Sequence, residues 1–246
     1  MNLAIDIGNT RTKLALFDGD ILVQKTVCEK LTVAELEAVA YNQKVERIIL
    51  SSVSKQPEEV MAFLRSKYAL LELSTDTPLP IRIRYKTPET LGKDRLAAAV
   101  GAFHLFAKAN CLVIDAGTCI TMDVLSAEGE FLGGNISPGI TMRLMAMHHF
   151  TARLPLVAPT ADLPDELGDS TENAIRNGGE LGALLEVEGF IGRCRKKYRP
   201  LHIVLTGGDT DFFVKNTKTK IFAHQNLVLI GLNQILQHNA KISEGF

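Results

Sequence analysis

Near its start the chain places Asp6, Gly8, Thr10, Thr12 and Lys13 together, in the stretch AIDIGNTRTKLALFDGD. Asp6 closes an apolar run that reads as a strand, and Gly8 leaves bare backbone beside the acid. Backbone N–H groups in such a turn donate to phosphate oxygens, because glycine puts no side chain in the way. A carboxylate repels phosphate, so Asp6 would act on it only through a cation, for which magnesium with retained waters is the usual choice. Lys13 and the hydroxyls of Thr10 and Thr12 add positive charge and donors. Neither common phosphate loop is present: there is no G-x-x-x-x-G-K-[ST] and no helix-opening G-x-G-x-x-G. Beyond the turn the chain reads instead as strand, turn and strand. The plainer alternative is that Asp6 only satisfies turn amides.

The pattern returns in LVIDAGTCITMDVLSAEGEFL. Asp115 matches Asp6, Gly117 matches Gly8 and Thr121 matches Thr12, each 109 positions on (115 − 6). Both D-x-G turns come after an apolar strand and precede a second strand, a turn (Asp18-Gly19 or Glu128-Gly129) and a third strand. Matching hairpins of this kind point to duplication. We therefore expect an α/β protein of two related domains, residues 1–110 and 111–246, joined near Lys108 to Asn110. Two such turns facing across an interdomain cleft would clamp a nucleoside triphosphate.

In YKTPETLGKDRLAAAV, Asp94 and Arg95 fall in the first turn of an Ala-rich helix, after Gly92. An acid there is favoured by the helix dipole alone, by ~0.3–1 kcal/mol. The chemical alternative is that Asp94 takes a proton from a substrate hydroxyl while Arg95 and Tyr85 position the substrate. TGGD, Thr206 to Asp209, reads as a strand running into paired glycines, where a purine or ribose could lie close to backbone; a tight turn explains the same residues. His148-His149 are adjacent and so point apart on a helix, which argues against a shared metal. Arg193 to Arg199, RCRKKYR, resembles a nucleic-acid patch, but cations at a helix end are favoured by the dipole. Met142, Met145 and Met147 read as core or interface packing.

The elements that must carry these residues come from periodicity. Strands and a hairpin fill Leu3 to Val27. A helix is next, with Thr32 and Glu35 forming a capping box. VERIILSSV is a buried strand, and Pro57 opens the next helix. LLEL and IRIRY are short strands. Later, Gly133-Gly134 end a strand, a helical stretch from Thr171 to Lys197 bends at Gly178-Gly179, and HIVLTGGD and NLVLIGLNQILQH supply a last strand and helix. Nothing in the sequence assigns that last helix to either half.

The chain's 246 residues, 46% hydrophobic and 22% charged, are ordinary for a globular protein, and a net charge of −1 gives no field toward nucleic acid or acidic lipid. No segment approaches the ~20 apolar residues of a membrane span. The start lacks the basic region and cleavage site of a signal peptide, so a cytoplasmic location is expected. Cys28, Cys111, Cys119 and Cys194 have no metal-like spacing and read as reduced packing residues.

Taken in order, DIGNTRTK, Y-x-x-P-E-x-L-G-K-D-R, DAGTCITMDV, GGNISPGITMRLMAM, TARLP, T-E-N-A-I-R-N-G and TGGD resemble the type III pantothenate kinases. These belong to the sugar kinase and actin-like ATPase superfamily, and the likeness covers nearly the whole chain. It implies two actin-like, ribonuclease H-like domains and ATP-dependent phosphorylation of pantothenate, the first step of coenzyme A synthesis. Carried over by position, Asp6, Ile7, Gly8, Asn9, Thr10, Arg11, Thr12, Lys13 and Thr118 would bind ATP, with Asp6 acting through magnesium. Asp94 would be the general base. Tyr85, Gly92, Lys93, Asp94, Arg95 and Thr171 would bind pantothenate. Asp115 would hold a monovalent cation, potassium or ammonium, and the protein would be a homodimer. Lys93 stands where a small residue is expected, and Cys119 where alanine is common. The sequence also admits two other readings: a nucleotide-binding regulator without turnover, and a kinase for another small hydroxylated substrate.

Overall fold

The computed structural model describes residues 1–54, 56–163 and 167–245. Their contacts fall into two compact units. The first comprises Met1–Ala107, Gly129–Phe131 and the segment from Asn226 onward; the second comprises Lys108–Glu128 and Leu132–Gln225. The units are therefore not consecutive blocks of sequence.

The first unit opens with β1 (Asn2–Ile7), β2 (Thr12–Asp18) and β3 (Ile21–Cys28). Helix α1 (Val33–Ala40), β4 (Arg47–Ser52), α2 (Glu58–Lys67) and β5 (Ala69–Glu72) come next. The sheet order is β3-β2-β1-β4-β5, with β1 antiparallel to β2 and parallel to β4. β1 lies inside this sheet, and its near-continuous apolar run suits a strand covered on both faces. Leu3, Ile5, Leu14, Leu16, Leu36, Ile48 and Leu64 form its core. Half of the expected capping box is present: the Glu35 N–H donates to Thr32 Oγ1 at 3.2 Å. The unit continues through β6 (Arg82–Ile83) to α3 (Lys93–Leu105).

The second unit repeats the plan. It contains β7 (Asn110–Ala116), β8 (Cys119–Leu125), β9 (Glu130–Pro138), β10 (Leu201–Thr206) and β11 (Phe222–Ala223). Their order, β11-β10-β7-β8-β9, is that of the first sheet with β7 in the place of β1. The first residues of β9, Glu130 and Phe131, belong to the first unit and pair there with β6. Between β9 and β10 run α4 (Ile140–His149), α5 (Thr171–Arg176), a π-helical turn (Asn177–Leu181) and α6 (Gly182–Lys197), while α7 (Thr210–Asn216) joins β10 to β11.

Two expectations are corrected by the strands. Gly133 and Gly134 do not end a strand; β9 passes through them to Pro138. They are glycines because β9 crosses its neighbour closely: a Cβ on Gly134 would fall 2.0 Å from the Met122 carbonyl oxygen, and Gly133 has φ +104°. The repeat alignment also shifts. β1 and β2 pair up to Ile7↔Thr12, leaving residues 8–11 in the turn, whereas β7 and β8 pair up to Ala116↔Ile120, leaving 117–119. The second turn is one residue shorter, so Thr121 is the counterpart of Lys13, not of Thr12. The bend expected at Gly178-Gly179 is the π-helical turn. Leu144 of α4 packs on Gly179, and the buried Glu180 carboxylate accepts from the Thr160 N–H at 2.6 Å.

The last helix, α8 (Leu227–Ser243), packs in the first unit. Asn233 donates to the Gly19 carbonyl at 2.9 Å, and Gln234 and Gln237 donate to Asp20 Oδ1 at 2.7 and 3.0 Å, holding the β2–β3 turn. α3 and α8 meet backbone to backbone. A Cβ on Gly231 would lie 1.7 Å from the Ala97 carbonyl oxygen, and one on Gly101 would lie 2.4 Å from that of Leu227. Gly231→Ala should therefore destabilise the chain, by about 1–3 kcal/mol or more from overpacking, although alanine is the better helix former. A lowered thermal midpoint by circular dichroism is the expected result; an unchanged or raised midpoint would contradict the close approach.

Candidate active site

Asp6 is the fifth residue of β1, and its register neighbours define its surroundings. Lys13 stands opposite it on β2 and Ser51 beside it on β4. The strand alternates and the sheet covers it, so the carboxyl is buried. Burial pushes the Asp6 carboxyl up to about 6; the Lys13 charge opposes this, the Asp94 charge adds to it, and a hydrogen bond with the Ser51 side chain opposes it again. Ser51 is a contact that the sequence conceals, because only strand pairing brings it beside Asp6. Ahead of Asp6 the turn closes with the Gly8 N–H donating to the Arg11 carbonyl at 3.1 Å. Asn9, Thr10 and Arg11 are exposed, whereas Ile7 and Thr12 are buried. Ile7 packs in the core, so it can contribute only backbone to a ligand.

Asp94 reaches the same neighbourhood from the first turn of α3. Its Oδ1 accepts from the Arg95 N–H at 2.8 Å, which fixes the carboxylate over the start of the helix. Gly92 makes room: a Cβ there would sit 2.5 Å from Asp94 Oδ1. Lys93, the first residue of α3, is half-buried. Arg95 is buried, with its guanidinium carbon 5.6 Å from the Tyr85 ring centroid and 5.8 Å from that of Phe131. Asp6, Lys13, Tyr85, Gly92, Lys93, Asp94 and Arg95 thus all lie in the first unit. Ser51 and Phe131 join them, and no sequence motif marks either.

The second unit holds Asp115, Thr118 and Thr171. Asp115 repeats the layout of Asp6, with Thr121 opposite it on β8 and Thr206 beside it on β10. The lysine of the first arrangement is replaced by a neutral hydroxyl. Thr118 is exposed in the short turn, its carbonyl accepting from the Gly139 N–H at 3.1 Å. The Asp209 N–H donates to the Ala116 carbonyl at 2.9 Å, as the Val53 N–H does to Ile7 at 3.2 Å. Gly207, at φ +103°, lies so close that a Cβ would fall 2.1 Å from the Ala116 carbonyl oxygen. Thr171 is the exposed first residue of α5. His148 Nδ1 lies 2.8 Å from the Leu154 carbonyl oxygen, and Arg195 to Lys197 occupy the last turn of α6.

No group of three or more His, Cys, Asp or Glu side chains able to hold a metal ion occurs among the described residues. One buried carboxylate flanked by turn amides fits magnesium, which keeps most of its waters and takes further oxygens from phosphates.

A family model described as type III pantothenate kinase matches residues 2–193. A type III pantothenate kinase of Bacteroides fragilis is 46% identical over 240 residues, covering 97% of this chain and 98% of the relative. The chain belongs to the type III pantothenate kinase family. Among solved structures, a Campylobacter jejuni protein described as a Baf family transcriptional activator superposes with a TM-score of 0.64 at 22% identity, covering 97% of this chain and 99% of that one. The activator of 2-hydroxyisocaproyl-CoA dehydratase from Clostridium difficile, with bound ADPNP, gives 0.59 at 13% identity, covering 99% and 96%. At these identities the likeness is one of fold, and the fold is that of the actin-like and sugar kinase ATPases, built from two duplicated domains.

The state of Asp6 has a measurable consequence in the absence of ligands. Its carboxyl moves from 3.8 to about 6 on folding, so between these values the folded chain holds a proton that the unfolded chain has released. Stability therefore falls as pH rises through that window, and above it ionised Asp6 costs about 3 kcal/mol. Without nucleotide or magnesium, Asp6→Asn should raise the thermal midpoint at pH 7.5, and the gain should vanish at pH 4. A lower midpoint for the variant at pH 7.5 would refute the assignment.

Proposed function

We propose that this chain, as a member of the type III pantothenate kinase family, transfers the γ-phosphoryl group of ATP to the primary hydroxyl of pantothenate, the first step of coenzyme A synthesis. The observation that carries the reading is the pairing of Asp6 and Asp94 in one unit, a buried carboxylate at a phosphate-type turn and a second acid whose charge acts on it. The relatives favour neither a regulator without turnover nor a kinase for another small hydroxylated substrate.

In this proposal the residues of the first turn, Asp6 to Lys13, bind the ATP phosphates. The Asn9 backbone N–H and the Thr10 hydroxyl serve as donors, and Lys13 supplies charge. Thr118 also contacts ATP. Magnesium, held by Asp6, would supply charge neutralisation at the phosphates. Phosphoryl transfer asks little covalent help, so alignment and charge dominate. Asp94 orients the pantothenate hydroxyl and accepts its proton, and Tyr85, Gly92, Lys93, Arg95 and Thr171 bind the rest of the substrate. Asp115 holds potassium or ammonium. Its arrangement with Thr121 and Thr206, a carboxylate and hydroxyls with no lysine opposite, supports a monovalent cation there.

We also propose a homodimer, a cytoplasmic location, and repeats bounded at 1–110 and 111–246. Exposed Ile136, Met145 and Phe150 in the second unit support a partner surface there. No helix among the described residues is long and apolar enough to cross a membrane.

ADP release in ATP, magnesium and potassium should require pantothenate and should not result from sugars. Asp94→Asn should lower turnover about 100-fold or more, as loss of a general base does, with ATP binding by calorimetry retained. Near-normal turnover in that variant removes the base assignment. Replacing potassium and ammonium by sodium should reduce activity, and full activity in sodium alone would count against the cation role of Asp115.

A further inference from the structure

We infer that Phe131 is a positioning residue for the acceptor end of this site, acting through Arg95; the inference rests on the proposed pantothenate kinase reading. Phe131 touches no reacting atom. Its ring is fully buried and meets the Tyr85 ring edge-on, with centroids 6.1 Å apart and planes at 68°. The Arg95 guanidinium carbon lies 5.8 Å from its centroid and 5.6 Å from that of Tyr85. Both distances are within the range at which a ring face attracts a cation, and the attraction grows when the cation is desolvated, as buried Arg95 is.

The backbone explains why this ring is available. The Arg82 N–H donates to the Gly129 carbonyl at 2.8 Å and the Arg84 N–H to the Phe131 carbonyl at 2.9 Å, so Ile83 pairs with Phe131. Gly129, at φ +74°, turns the chain against Phe103 of α3, leaving 3.0 Å between its would-be Cβ and that ring. The start of β9 is thereby fastened to β6 and to the helix that carries Asp94 and Arg95. Tyr85 and Phe131 form two aromatic walls around one guanidinium, and the adjacent residue in the chain, Asp94, takes the Arg95 N–H. Fixing the Arg95 side chain fixes the first turn of α3, and with it the direction of the Asp94 carboxylate and the donors that Arg95 offers the acceptor substrate. An aliphatic residue would fill the space without attracting the cation.

The test varies the ring's electrostatics while keeping its shape. Phenylalanine at position 131 is replaced, site by site, with its mono-, di- and trifluoro analogues in the full-length chain, alongside Phe131→Leu. Fluorination weakens the negative ring face stepwise. KM for pantothenate should rise in step along the series, reaching roughly tenfold in the trifluoro and leucine proteins. KM for ATP and the thermal midpoint of the fluorinated proteins should stay at the wild-type values. A residue that merely fills the core would leave KM for pantothenate flat across the series, and that result overturns the inference. A parallel loss in both KM values and in the midpoint overturns it as well. If the wild-type chain itself releases no ADP with pantothenate, it is the functional reading that fails, a result separate from a flat series in an active enzyme.

Discussion

The structure depends on one costly placement, a carboxylate in the interior of a sheet beside a second carboxylate. Burial pushes the Asp6 carboxyl up and the Asp94 charge adds to that pressure, while Lys13 and Ser51 offset only part of it. A chain tuned for stability would not keep an acid there. The arrangement makes sense where a cation arrives with the phosphates, because the same low-dielectric surroundings that disfavour a lone carboxylate strengthen its attraction to a metal. The compact β3-β2-β1-β4-β5 sheet and the α3–α8 crossing that braces it supply the rigidity that such a placement requires.

Duplication gives this arrangement a comparison within the same chain. Asp6 and Asp115 occupy the same strand position in sheets of the same order, each with a residue opposite on the antiparallel neighbour and a hydroxyl residue beside it on the parallel one. They differ in the residue opposite, Lys13 in the first and Thr121 in the second. The one-residue-shorter second turn keeps the strand pairing in step, so Lys13 and Thr121 hold equivalent places and the difference is one of residue type. One residue difference at an equivalent place therefore accounts for the divergence in local charge of the two repeats.

The elements legible in the sequence are those whose cause is local. Apolar runs gave β1, β4, β7 and β10; the Ala-rich period gave α3; Thr32 and Glu35 marked the start of α1. The repeated hairpin was legible because both copies kept the D-x-G turn. What escaped depends on residues far apart in the chain. The one-residue-shorter turn before Thr121 is invisible to an ungapped comparison. Gly133 and Gly134 look like a strand end until β8 is seen pressing on them. Ser51 becomes a site neighbour only through parallel pairing, and α8 joins the first unit because Gly101 and Gly231 admit its backbone. The chemistry was legible to the extent that Asp6, Asp94 and Arg95 each stood in a local motif, whereas Phe131 stood in none.

Phe131 also shows why a phosphoryl-transfer site draws on residues that the motifs leave out. A general base must hold its carboxylate within hydrogen-bond reach of one hydroxyl, and a misplacement of an ångström can cost ~10²-fold in rate. Asp94 is at the N-terminal end of a helix, where end fraying is greatest and where the N-cap residue, Gly92, has no side chain to cap it. Its carboxylate is tethered locally by the Arg95 N–H. That neighbour in turn lays its guanidinium against Tyr85 and Phe131. The two rings come from separate segments, one just beyond β6 and one at the start of β9, which the backbone bonds of Arg82 and Arg84 tie together. On the proposed reading the position of the base thus depends also on strand pairing outside its own helix, and a change that loosened β6 from β9 would reach Asp94 without altering any residue of its motif.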